Sequence, residues 1–434
     1  MWNRLAKILS NKKVMGRLLF TLVLVFIYRL VNHIPVPLFN TSAITSLLAQ
    51  EGSFLAILNN YTGGGLERFS VLALGISPYI TASIVMQLLA MVVPTIKEWS
   101  TQGQDGKMKM NRVTRYLAII LAFVQGLALI LGTDQGTGSI FVAGIINPTI
   151  WHYLYMALVI TAGTAFAIWI GDLITKKGIG NGTSILIVVG IVTSLPKMIT
   201  ALNNKYLGAN FDGVNLLLYI IIILLMIAIL LGIVYLQIAT RKIPIQYANR
   251  QGKSDSHIPM MLNSAGVIPV IFASTIMSVP LTIVGLLNPA NVSGGFAGWT
   301  TQIFDSSKPV GFIVYVLLIV VFSFFYSFMQ VDPEKIAENL SKSNAYIPGV
   351  RPGDDTKDFI ARLLFKITVI GTIYLVLLAV TPIITSLIFG FTPAEASLIQ
   401  IGGTSLLIIV GVAIETTQQI ETDADNTTYS GIFG

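Results

Sequence analysis

Side chains able to carry covalent or redox chemistry are scarce in this 434-residue chain. Cysteine is absent, which removes disulfides, thiolate nucleophiles and cysteine metal sites together. The three histidines, His33, His152 and His257, lie far apart, and neither a His-Glu-x-x-His spacing nor a nucleotide-binding P-loop occurs. Gly178, Gly180 and Gly182 alternate, but no strand pattern precedes them, so they read as a turn before an apolar run. Carboxylates avoid the apolar runs: Asp172 and Glu415 stand at run ends, and the other 18 acids fall in loops, tails or run edges. An ion-coupled transporter normally keeps a carboxylate near the membrane midplane, and an intramembrane protease needs a Ser–His or Asp–Asp pair there. The chain is therefore expected to be no enzyme, to use no cofactor or metal, and to take its energy from a partner.

Hydrophobicity replaces that chemistry. Apolar residues make up 54% of the chain and charged ones 11%, with a mean hydropathy of +0.77, against about 25% charged in soluble domains. Such a balance excludes an ordinary soluble enzyme and a disordered chain, and predicts an all-α membrane protein. Crossing the hydrocarbon takes about 20 apolar residues. Ten runs qualify: 17–37, 72–93, 115–132, 151–171, 182–200, 214–238, 264–287, 309–330, 362–382 and 396–415. The first follows Arg4, Lys7, Lys12, Lys13 and Arg17 and meets Ile34-Pro35-Val36-Pro37 without a small-x-small cleavage pattern, so it reads as a retained span. An even number of spans puts both termini on one side. With that side cytoplasmic, 21 lysines and arginines fall on inner segments and four (Arg68, Lys197, Lys205 and Lys308) on outer ones. The basic inner face suits anionic lipid headgroups first and acidic or phosphate-rich partners second.

Two stretches recur. Gly75-Ile76-Ser77-Pro78-Tyr79-Ile80-Thr81-Ala82-Ser83 in span two matches Gly266-Val267-Ile268-Pro269-Val270-Ile271-Phe272-Ala273-Ser274 in span seven. Gly182-Thr183-Ser184-Ile185-Leu186-Ile187 in span five matches Gly403-Thr404-Ser405-Leu406-Leu407-Ile408 in span ten. Both pairs are five spans apart, and an odd separation means inverted halves. The expected fold is ten transmembrane helices in two inverted pseudo-symmetric five-helix halves around a central pore. The halves cover 1–200 and 214–415, followed by a short tail over 416–434. Ile80 pairs with Ile271 and Ile187 with Ile408, at a depth of roughly 12–18 Å from the span starts at 1.5 Å per residue. Ile76 precedes Ile80 by one helical turn. Core or lipid-facing isoleucine explains any one of them, but their symmetry favours an apolar ring at the midplane.

Two long cytoplasmic loops, 239–262 and 331–361, exceed what connection alone requires. The first carries Arg241-Lys242-Ile243-Pro244-Ile245-Gln246-Tyr247, alternating as a short strand does. The second carries Arg351 between Pro348 and Pro352, a stiffly presented guanidinium suited to carboxylate or phosphate. A solvated charged loop remains the plainer alternative.

These residues resemble the SecY family, the central pore subunits of the bacterial Sec protein translocase. The most specific stretches are Ala73–Ile84, Ala265–Ser274, Gly402–Ile408 and Pro333–Thr356 with Ala337-Glu338-Asn339-Leu340. The resemblance implies a channel that translocates unfolded secretory polypeptides across the bacterial plasma membrane and releases membrane segments laterally. A secondary transporter of a small solute is the alternative. It also implies a pore ring of Ile76, Ile80, Ile187, Ile271 and Ile408. A plug over about 54–66 would contain Phe54, Leu55, Ile57, Leu58, Gly63, Gly64, Gly65 and Leu66. A lateral gate between spans two and seven would be lined by Thr81, Gln87, Gln125 and Thr275. Docking of the SecA motor ATPase or the ribosome would fall to Arg241, Lys242, Arg250 and Arg351. The implied partners are small SecE- and SecG-type membrane subunits, signal sequences and anionic lipids.

Because the chain lacks cysteine, single cysteines report topology on a clean background. Cysteines replacing Gln104 and Asp355 are expected to resist an impermeant outside reagent in intact cells and to react once the membrane is opened. Labelling of either from outside would overturn the orientation.

Overall fold

An apolar run in hydrocarbon can satisfy its backbone only by hydrogen-bonding within itself, and each expected run carries a helix over part of its length. The computed structural model describes residues 12–40, 63–137, 141, 149–208, 213–247, 256–287, 295–305, 308–391 and 403–430. In chain order the helices are α1 (Lys12–Val31), α2 (Ser77–Val92), α3 (Pro94–Thr101), α4 (Gly103–Thr137), α5 (Ile150–Lys177), α6 (Gly182–Tyr206) and α7 (Gly213–Ile238). They continue as α8 (Ile268–Leu287), α9 (Gly295–Phe304), α10 (Pro309–Gln330), α11 (Pro333–Lys342), α12 (Asp354–Phe389) and α13 (Thr404–Ser430). Among the described residues, seven helices are long and apolar enough to cross a membrane, and Ser77–Ala90 and Ile268–Leu281 are shorter apolar helices.

Spans two and seven start later than their hydropathy suggests. Gly75 and Gly266 have φ of +52° and +65°, a left-handed conformation that stops a helix from forming through them. The helices begin two residues on, at Ser77 and Ile268, each with a proline next, Pro78 and Pro269, where a missing N–H costs nothing. Residues 72–76 and 264–267 are therefore turn, not helix. At the other extreme α13 continues to Ser430, so much of the expected short tail is helical.

Backbone contacts repeat as well. Gly163 of α5 abuts the carbonyl of Val71, six residues before α2 begins, and Gly371 of α12 abuts that of Leu262, six residues before α8 begins. A Cβ on Gly371 would stand 2.9 Å from the Leu262 oxygen, and one on Gly163 would overlap the Val71 carbonyl. Gly182 likewise presses on Gly171 of α5, and Gly403 on Leu378 of α12. Glycine serves at each point because two backbones meet there.

Side chains join helices as well. Between α10 and α12, Ser327 and Thr368 share a hydroxyl hydrogen bond of 2.7 Å, and Thr372 donates to Ser323 at 2.8 Å. All four residues are buried, and the four-residue spacing on each antiparallel helix makes a two-rung polar ladder of the kind that joins helices in lipid.

The two long loops fold together. β1 (Thr240–Pro244) pairs antiparallel with β3 (His257–Met261), from Thr240↔Met261 to Pro244↔His257. β2 (Gln246–Tyr247) pairs with β4 (Ala345–Tyr346) from the second loop. Ile243 and Ile245 point inward while Lys242, Pro244 and Gln246 point out, the period of two expected of a half-buried strand. The inward residues join Met260, Leu340, Ile347, Ile360 and Leu364 in one apolar core. Asp332 accepts from the Glu334 and Lys335 amides and so caps α11.

Gly163→Ala is expected to destabilise the protein by about 1–3 kcal/mol, the usual range for overpacking. At Gly126 of α4 an added Cβ would meet Ile160 Cγ2 at an ordinary 3.6 Å, so Gly126→Ala should leave stability unchanged or raise it by up to about 1 kcal/mol through helix propensity. Denaturant unfolding of the purified protein in detergent compares them; equal losses would refute the close backbone approach.

Candidate functional site

All five isoleucines singled out from the repeats lie in one apolar cluster. Ile76, Ile187 and Ile408 are buried within it, and Ile80 and Ile271 pack against it half-buried. The cluster gathers residues of α1, α2, α5, α6, α7, α8 and α13, so both expected halves contribute. Ile76 sits just before α2 rather than inside it, at φ −99° and ψ 0°. Its carbonyl still accepts from the Tyr79 and Ile80 amides at 3.1 and 3.2 Å, which keeps it one turn from Ile80. Leu24, Tyr28, Leu72, Leu186 and Ile191 share the cluster. Leu186 lies in the second repeat opposite Leu407, whereas Leu24, Tyr28, Leu72 and Ile191 fall outside the matched stretches.

The four gate residues occupy three helices. Thr81 on α2 is buried and donates to the Ser77 carbonyl at 3.2 Å. Gln87, one helical face further on, donates to Ser83 Oγ at 3.3 Å, while its Oε1 is buried without a partner. Gln125 on α4 and Thr275 on α8 are half-buried. Helix α4 packs against both α2 and α8, so it stands beside both helices of the expected gate. At the foot of α4, Arg115 pairs with Asp172 of α5 at 2.8 Å.

Of the plug residues, Phe54, Leu55, Ile57 and Leu58 lie outside the described residues. Gly63 and Gly64 have φ of +66° and +82°. The Gly63 carbonyl accepts from Arg29 Nη1 at 3.3 Å, and Lys197 of α6 pairs with Glu67. Beyond them the chain is fixed. Gly65 is buried beside Asn32 and Ser70. Leu66 and Phe69 are fully buried, with Phe39 stacked on Phe69 at 3.7 Å. Leu66 belongs to this second cluster and not to that of the isoleucines.

The docking residues that are described stand in solvent. Arg241 and Lys242 are exposed on β1, and Arg351 is exposed before α12, its carbonyl held by the Thr356 hydroxyl at 2.7 Å. Arg250 lies outside the described residues. Strand pairing between the loops puts β1 and the Arg351 turn on one folded unit over a shared core.

A SecY family model matches residues 70–417 of the chain. The protein translocase subunit SecY of Staphylococcus aureus is 42% identical over 440 residues, covering 99% of both chains. Among solved structures, one described by the SecY plug domain stabilising the closed state of the translocation channel gives a TM-score of 0.66 at 20% identity, over 95% of this chain and 93% of that one. The channel of the canine ribosome–channel complex from the endoplasmic reticulum gives 0.61 at 19% identity, again over 95% and 93%. At such identities the structural likeness speaks for the fold.

Gln87 offers a test of the gate geometry. A buried amide oxygen without a partner costs about 1–3 kcal/mol, so Gln87→Leu should raise the thermal midpoint of the purified protein and Gln87→Glu should lower it. A lowered midpoint for Gln87→Leu would show that the oxygen is satisfied.

Proposed function

The chain belongs to the SecY family, and from that membership we propose that it is the pore subunit of a protein-conducting channel for unfolded secretory polypeptides and for membrane segments leaving sideways into lipid. The relative named as a protein translocase subunit and the neighbours described as channels support this reading; nothing supports the small-solute transporter. The chain is a multi-pass membrane protein, placed in the bacterial plasma membrane with both termini cytoplasmic. Its halves are 1–200 and 214–415, ten spans in all, a reading supported by the recurring glycine joints before α2 and α8. With no carboxylate in mid-span, the path has no motor of its own. The driving force comes from a SecA-type ATPase or a ribosome on the 239–262 and 331–361 loops. One structural neighbour is itself a channel in a ribosome complex. SecE- and SecG-type subunits and anionic lipids complete the assembly.

The observation that carries the mechanism is the convergence of the five isoleucines from both halves on one cluster. A pore wide enough for an extended chain must hold back ions when idle. An apolar constriction does so by dewetting, since ions lose their hydration between branched side chains. Isoleucine is bulky, stiff at its first torsion and unable to hydrogen-bond, so it yields to a passing chain without binding it. The plug falls within 54–66, with Gly65 and Leu66 as its anchored end, and α2, α4 and α8 border the lateral exit.

Replacing Ile80, Ile271 and Ile408 together by Asn is expected to raise closed-state ion conductance and to relax signal-sequence selectivity. Single-channel recording of the inserted triple variant checks this. Unchanged conductance would refute the ring, because lipid-facing isoleucines would give poor insertion and no specific leak.

A further inference from the structure

The turn over residues 262–267 stands between the docking loops and the helix that carries Ile271 and Thr275. On one side it continues β3: the Leu262 amide donates to the Ala239 carbonyl at 2.9 Å, extending the β1–β3 ladder. On the other it runs into α8 through Gly266, at φ +65°. Three helices surround it. Gly371 of α12 abuts the Leu262 carbonyl. Gly411 of α13 faces Val267, with an added Cβ 3.2 Å from its Cγ2. Gln237, near the end of α7, accepts from Asn263 Nδ2 at 3.2 Å.

Asn263 is the centre of this node. It is buried, and besides Gln237 its Nδ2 reaches the Gly266 carbonyl at 3.1 Å, while its own carbonyl accepts from the Gly266 amide at 3.2 Å. One side chain thereby ties the end of β3, the end of α7 and the turn before α8. The repeat offset of 191 places Leu72 at the equivalent position of the first half, fully buried and apolar. The turn before α2 is tied from a different position, Ser70 Oγ donating to Asn32 Oδ1 at 3.0 Å, so only the turn before α8 has a side chain that joins it to the strand below the docking loops.

A glycine in left-handed conformation is a place where a chain bends readily. Displacing the loops would flex the turn at Gly266 unless something held it. A satisfied amide in a low-dielectric surrounding fixes its partners strongly, and the shared core of the two loops makes them one body. We infer that Asn263 is a positioning residue: it clamps this turn so that displacement of the docking loops by a bound motor ATPase moves α8 as a rigid arm instead of being absorbed at Gly266. The inference rests on the docking reading above.

The test separates clamping from mere stability. Asn263→Leu takes the donor from the half-buried Gln237 Oε1 and should lower the thermal midpoint, whereas Gln237→Leu with Asn263→Leu removes both polar partners and should restore it. Parent and double variant are compared in anionic-lipid proteoliposomes with a purified SecA-type ATPase and an unfolded precursor. The double variant should bind the ATPase within about twofold of the parent yet translocate about tenfold more slowly, a loss within the usual range of coupling between distant sites. Translocation at the parent rate overturns the clamp. Should the double variant stay unstable, its folded fraction is labelled at Val279→Cys, an exposed α8 position. Loss of the motor-induced fluorescence change with the motor still bound then supports the clamp, and a retained change overturns it. A parent that fails to bind the ATPase overturns the docking reading and this inference with it. A parent and double variant driven equally overturn the clamp alone.

Discussion

Every feature of this fold answers to the cost of an unpaired backbone group in hydrocarbon. The long helices meet that cost internally. The two turns before α2 and α8 cannot, because Gly75 and Gly266 break the helical ladder, so they are bonded and wrapped by protein. Before α2, the Val36 amide donates to Phe69, Val71 to Ile34, Ala73 to Ser70 and Gly75 to Leu72. Before α8, strand pairing and the Asn263 side chain do the equivalent work. Glycines on α5 and α12 let helices close over both turns. Irregular backbone is tolerated where it is enclosed, and both turns lead directly into the helices that carry Ile80 and Ile271.

The same constraint explains how the two copies of one joint diverge. The turn before α2 packs on apolar and aromatic residues, Leu66, Phe69, Phe39 and Val36, with one buried hydrogen bond from Ser70 to Asn32. The second-half turn uses an asparagine and a strand that leads out to solvent. The α10–α12 pair adds two hydroxyl rungs, each worth about 0.6 kcal/mol by the average for such bonds in membranes. These rungs tie α12, which begins beside Arg351, to its neighbour, so the helix below the 331–353 loop is held against α10 as well as against the turn at Leu262.

Much of this was legible in the residues. The ten runs, the two repeats and the isoleucine positions required only hydropathy and spacing, and the alternation in 239–247 announced strand β1. The helix starts were not legible from hydropathy, because Leu72–Ile76 and Ser264–Val267 are as apolar as the helices they precede. Only the left-handed glycines separate turn from helix there. The partner of β2 escaped as well, since Ala345-Tyr346 is too short to show a period. Asn263 and Leu72 lie three residues ahead of the matched stretches, so no repeat singled the asparagine out, and its partner Gln237 lies on another run. Helical continuation to Ser430 escaped because polar sequence beyond a span carries no period of its own.

That continuation bears on how the halves meet. Along α13, Gln419 accepts from the Gly180 amide at 2.9 Å and Asp423 pairs with Arg17 at 2.8 Å. Far along α6, Lys205 donates to the Gly390 carbonyl at 3.1 Å, just past the end of α12, and lies 4.6 Å from the Phe391 ring centre. A lysine at a helix C-terminus is favoured by the helix dipole. The Arg17–Asp423 pair is partly exposed and worth at most about 1 kcal/mol, so none of these contacts is strong alone. Their placement matters more than their strength. They join α1 and α6 to α12 and α13 at both ends of α6, along the edge where α6 packs on α13 and α7. Directional contacts at two separated points resist rotation about any axis except the line joining them. The isoleucine cluster draws on α1, α2, α5, α6, α7, α8 and α13 beside that edge, and apolar contacts impose no direction, so the relative orientation of these helices is set by the directional contacts at the edge rather than by the cluster itself.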